Sequence, residues 1–148
     1  MNLSASTISL FAVSMALVAG AGWAAWGELE IFGWDRSQPS GKIAGIIAET
    51  SLPPALTSRR ELLLTCNQFM GTIFSRLEGE DRESAFLTRC DRAAQDIANL
   101  EQANSLAWAV SARAAAMRGD YAGMNDDLAR SFATGPSDQW LVSARFDI

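Results

Sequence analysis

The sequence predicts an all-α protein, with one N-terminal transmembrane helix followed by a small bundle of about five antiparallel helices. Three observations lead there. Residues 8–26, ISLFAVSMALVAGAGWAAW, carry no charged side chain. Further along, apolar residues recur at steps of three and four, the period of a helix with one buried face. Finally, two stretches free of Pro, 105–118 and 121–134, meet at a Gly119-Asp120 turn that closes an antiparallel pair.

The uncharged run is 19 residues long, enough to cross a hydrocarbon layer about 30 Å thick as a helix. Trp23, Trp26, Phe32 and Trp34 follow at its C-terminal end, where aromatic rings settle at the headgroup level. Residues 1–34 are therefore read as a membrane anchor, with Trp23, Trp26 and Trp34 at the membrane interface. A cleaved signal peptide is the rival, because Ala19-Gly20-Ala21 offers a small-residue cleavage site. The positive segment that precedes the apolar part of such peptides is missing from residues 2–7, which favours an uncleaved signal anchor. Arg36 and Lys42 lean toward a cytoplasmic C-terminus; the two cysteines lean the other way.

Residues 35–58 contain Pro39, Gly41, Gly45, Pro53 and Pro54 and read as a linker. Within it Ile43, Ile46 and Ile47 form an apolar patch that needs a cover, either the helical domain or a partner.

The domain occupies 59–148. Its first helix is expected over 58–77, with Ser58 as N-cap, Glu61 three residues on, and Leu62, Cys66, Phe69, Ile73 and Leu77 on its apolar face. After Glu78-Gly79-Glu80 a second helix runs over 81–100 with Phe86, Cys90, Ala93, Ile97 and Leu100 inward. Folding this pair about Glu78 sets Leu62 near Ala94, Phe69 near Leu87, Met70 near Phe86, and Cys66 opposite Cys90. Cysteines on facing stripes at matched heights meet the Cα separation of a disulfide, and closing a loop of about 24 residues stabilises by about 3 kcal/mol in the chain-entropy model. Such a bond persists in an oxidising compartment, here the periplasm. Two reduced, buried thiols are the other reading.

In the 105–136 pair, Gly119 is the expected left-handed cap and Asp120 the cap of the following helix, whose Tyr121, Met124, Leu128 and Phe132 form one stripe. Trp108, Gly119-Asp120-Tyr121 and Pro136, which falls 28 residues after the Trp, resemble a tetratricopeptide repeat of the 34-residue family. The likeness covers about one repeat. It departs from the pattern at Ser111, Ala112 and Ala115, and at Met124 and Ser131. The resemblance implies a concave, partner-binding groove lined by Leu106, Ala109, Arg113, Ala116 and Met117, with Arg113 suited to a carboxylate, unless the preceding hairpin covers that face. A closing helix over 137–148 brings Trp140, Leu141 and Phe146; it either folds into the core or meets a partner.

All charged residues lie at or after Glu28, and the net charge is −5, which argues against nucleic acid as a partner. Histidine is absent, removing the commonest general base and metal ligand. Glu78, Glu80, Asp81 and Glu83, and separately Asn125, Asp126 and Asp127, lack the ligand spacing of a calcium loop and read as acids near helix N-termini. No catalytic residue, metal or cofactor is expected. The expected protein is a tetratricopeptide-like interaction or scaffold component of a bacterial envelope assembly, anchored once in the inner membrane with its domain in the periplasm. Its partners would be the bilayer and other membrane or periplasmic proteins. An accessory subunit of a large membrane complex is the alternative.

Overall fold

The computed structural model describes residues 5–32, 38–142 and 145. Among them the chain forms seven α-helices and no strand: α1 (Ala5–Phe32), α2 (Pro39–Ala48), α3 (Leu56–Phe69), α4 (Ile73–Leu77), α5 (Glu80–Leu100), α6 (Ser105–Met117) and α7 (Tyr121–Thr134), followed by a 3-10 turn, Gln139–Leu141.

The described side chains of α1, those of 11–23, 25 and 26, are apolar apart from Ser14, and all are exposed. Among the described residues no helix is long and apolar enough to cross a membrane. Trp23 and Trp26 project freely; Trp34 lies outside the described residues.

The predicted linker is part of the bundle. Pro39 opens α2, where a missing N–H costs nothing and the fixed φ suits a helix. Ile43 and Ile46, one turn apart, are wholly buried, and α2 packs on α3, α4 and α5. The true connection is shorter: Pro53 and Pro54 lie between α2 and α3.

The single helix expected over 58–77 is two helices. Helix α3 starts before Ser58, with Ala55 at its N-cap, so Ser58 is a buried first-turn residue rather than the cap. It ends at Phe69. Gly71 takes φ +72°, a left-handed conformation open to glycine at no steric cost, and the Thr72 hydroxyl donates to the Phe69 carbonyl at 2.8 Å, competing with continuation of the helix. The stripe consequently splits. Leu62, Cys66 and Phe69 are buried, whereas Ile73 and Leu77 on α4 are exposed.

Helix α5 runs antiparallel across α3, with Phe86, Cys90, Ala93, Ala94 and Ile97 inward. Cys66 and Cys90 are joined by a disulfide with Cα atoms 5.7 Å apart. At the N-terminus of α5, Glu80, Asp81 and Glu83 sit in the first turn, where carboxylates complement the helix dipole.

Helix α6 lies in the middle. It packs on α3 and α5 on one side and α7 on the other, and nine of its thirteen residues are buried, which is why small Ala side chains fill it. Asn104 caps it by accepting from Ala107 N–H at 3.1 Å. At its far end Gly119 N–H donates to the Ala116 carbonyl and Asp120 N–H to the Ala115 carbonyl, the paired bonds of a Schellman turn, with Gly119 at φ +77°. Asp120 then caps α7 by accepting from Gly123 N–H at 3.0 Å. Helix α7 buries only Ser131 fully; of its predicted stripe, Met124 and Leu128 are half-buried and Tyr121 and Phe132 are exposed.

Candidate functional site

The groove inferred from the repeat resemblance is closed. Leu106 and Ala109 are buried because α3 and α5 cover the face of α6 that a repeat array would leave open. Arg113 and Ala116 are half-buried. Met117 is at the surface, its thioether beside Gly71. Of the closing segment, Leu141 is fully buried and Trp140 is half exposed with the Arg60 guanidinium 5.7 Å above its ring; Phe146 lies outside the described residues. Leu106, Ala109 and Leu141 are thus core residues rather than contacts for a partner.

The acidic residues are tied into the scaffold. Glu78 pairs with Arg82 at 3.1 Å, and Glu83 accepts from the Ser75 hydroxyl at 3.2 Å. Asp127 accepts from the Ser111 hydroxyl at 2.7 Å, joining α7 to α6. Among the described residues no three His, Cys, Asp or Glu gather as a metal-binding group.

Two clefts remain. One, of about 340 Å³, lies between the end of α5 and α7 and is walled by Trp108 and Arg130. The Arg130 guanidinium sits 4.7 Å above the Trp108 ring, whose Nε1 donates to the Gln102 carbonyl at 3.0 Å. Ring, cation and carbonyl satisfy one another there.

The other cleft, of about 320 Å³, lies between the C-terminal end of α2 and α5. Ile47 and Ala85 give it apolar walls, and Glu49, Thr88, Arg89 and Arg92 give it polar ones. Arg89 is 9% exposed. Its Nη2 donates to the Ser51 carbonyl at 2.8 Å, while Nε is buried without a partner. Burial lowers the pKa of the Arg89 guanidinium and neighbouring Arg92 adds to that, against the opposing pull of Glu49 and Asp96. Sequence reading passed over Arg89 because a charged residue beside Cys90 on an amphipathic helix ordinarily faces water. The folding back of α2 onto α5 is what encloses it.

At another end of the bundle α4 exposes Ile73, Phe74 and Leu77. Phe74 meets Phe69 edge-on at 6.3 Å, and Lys42 in the first turn of α2 lies 5.8 Å above the Phe69 ring. The α4 patch is therefore next to the first turn of α2.

Comparison with known proteins gives no matching family model, no similar curated protein and no similar solved structure.

Proposed function

We propose that this protein is a membrane-anchored, non-enzymatic interaction module, a scaffold component of a bacterial envelope assembly whose helical domain faces the periplasm. The observation that carries the reading is α1, a long helix whose described side chains, Ser14 apart, are apolar and exposed. A helix hydrophobic all round calls for a hydrophobic surrounding. Residues 8–10 of the uncharged run extend it at the N-terminal side, giving the 19-residue length a span requires. The Cys66–Cys90 bond supports the periplasmic side, because such bonds persist in oxidising compartments. The α6–α7 hairpin, with its Gly-Asp-Tyr turn, is the tetratricopeptide-like part. The apolar α4 patch beside the first turn of α2, the helix that follows the anchor in the sequence, supports a domain held close to the bilayer, where tethering raises its effective concentration toward membrane partners.

A second reading is an accessory subunit of a large membrane complex. Gly20 and Gly22 favour it, since nothing lies within 4 Å of either position and small residues let another helix approach closely.

Both readings are tested on bacterial membranes carrying the full chain. Alkaline carbonate should leave it in the membrane pellet, and a thiol-reactive polymer should label it only after reduction. Chains that co-purify in fixed ratio through detergent extraction identify a subunit; variable partners identify a docking module. A carbonate-soluble chain with freely reactive thiols would end both.

A further inference from the structure

The α2–α5 cleft holds a buried charge with no carboxylate in ion-pair contact. Among the described residues the ion pairs are Arg59 with Glu101, Arg82 with Glu78 and Arg118 with Asp91. Neither Arg89 nor Arg92 has a carboxylate at that distance. For Arg92, which is exposed, this is unremarkable. For Arg89 it is costly: an enclosed cation needs an opposite charge or a full set of acceptors. The Ser51 carbonyl and the end of α2 offer only partial negative charge, and Nε is left unpartnered. Glu49 is turned elsewhere, accepting from the Ser51 N–H at 3.2 Å and the Ser51 hydroxyl at 3.0 Å.

We propose that this cleft is a binding site for a carboxylate carried on a short aliphatic stem. The guanidinium fork of Arg89 matches the two oxygens of a carboxylate, and Arg92 supplies a second positive charge at the rim. Thr88 brings a hydroxyl, while Ile47 and Ala85 offer an apolar wall to the stem. The nearby acids select the ligand. Glu49 lines the cleft and Asp96 also acts on Arg89, so a singly charged carboxylate meets less repulsion there than a doubly charged phosphate. The volume, about 320 Å³, is at the small end of ligand pockets, so it takes a small acid or one acidic side chain of a polypeptide. The site does not depend on α1 or on the membrane.

The test uses the full chain labelled with nitrogen-15 at arginine, in detergent micelles or in buffer, whichever keeps it monodisperse. The Nε–Hε resonance of Arg89 is followed by NMR as butyrate, butyramide, acetyl-Ala-Glu-Ala-amide, its Gln counterpart or inorganic phosphate is added. Butyrate or the Glu peptide should move the resonance saturably, and the amide and Gln forms should not. Arg89→Lys should weaken binding about tenfold or more, since a lysine loses the bidentate fork. Arg92→Gln, at an exposed position, should weaken it about threefold with an unchanged melting temperature. A stronger response to butyrate assigns a free acid, and a stronger response to the peptide assigns a protein side chain; either supports the site. The proposal is overturned if butyramide or the Gln peptide acts equally, if phosphate binds as well as the carboxylates, if no carboxylate moves the resonance, or if Arg92→Gln leaves affinity unchanged.

Discussion

Arg145 reaches back to Ser131, donating from Nε to the hydroxyl at 3.0 Å and from Nη2 to the backbone carbonyl at 2.7 Å. Nη2 also donates to the Gly135 carbonyl at 2.9 Å, so one buried guanidinium adds a second bond to two carbonyls at the end of α7, each of which already accepts a backbone N–H, and complements the helix dipole. The Ser131 hydroxyl in turn donates to the Ser105 carbonyl at 2.8 Å. This chain of bonds fastens the C-terminal segment to α7 and α7 to the start of α6.

Arg145→Met should therefore lower the unfolding free energy by about 2 kcal/mol, the lower part of the range for a buried charged hydrogen bond, because Nη1 is already without a partner. Arg145→Lys should fall between, keeping the charge and losing the fork. Urea unfolding of the two variants against the parent measures both.

Cys66→Ala combined with Cys90→Ala should cost about 3 kcal/mol by loss of loop closure, and a reducing agent should lower the parent's melting temperature to near that of the double variant. Equal melting temperatures with and without reductant would mean that the bond does not form in the protein.

Two glycines should respond differently to alanine. At Gly119 nothing lies within 4 Å of the new methyl group, so Gly119→Ala meets only the left-handed backbone, about 1 kcal/mol. At Gly135 the methyl group would fall 2.6 Å from the Ser105 Cβ, at the hydrogen bond between Ser105 and Asp138. Gly135→Ala should be the more damaging, and thermal unfolding should rank them in that order.

Ile43→Ala and Ile46→Ala should each destabilise by about 2–4 kcal/mol, the usual range for emptying a packed aliphatic site. Limited proteolysis should spare residues 39–48 in the parent and cut there in the variants. Cleavage of the parent in that stretch would return it to the status of a free linker.

Much of the α-helical architecture was legible because its signals are local. The Schellman turn at Gly119, the Asp120 cap and the alternation of apolar steps in α5 depend on residues a few positions apart. The Cys66–Cys90 pairing was legible from facing apolar stripes, although the one turn it was read from is two, at Gly71 and Gly79, with α4 between them. What escaped depended on the other helices. Pro39, Gly41 and Gly45 read as breakers, yet Pro39 is tolerated at the first position and the glycines are outweighed by two isoleucines with a core to enter. Gly71 lay inside an unbroken stripe, and only its positive φ turns Ile73 and Leu77 outward. For Leu106 and Ala109 the open and the covered face both stayed possible, and Arg89 drew no notice, for one reason: the sequence of a helix records which face is apolar, not which neighbour arrives to cover it.

The covalent link between α3 and α5 also decides how the molecule yields to tension. Should the bundle be tugged through α1 while a bound neighbour grips α7, residues 67–89 stay out of the strained path, because the load crosses directly from Cys66 to Cys90. Helix α4 and the first half of α5 then form a slack loop that cannot be drawn out, and the load falls on α2, on α3 up to Cys66 and on the helices after Cys90.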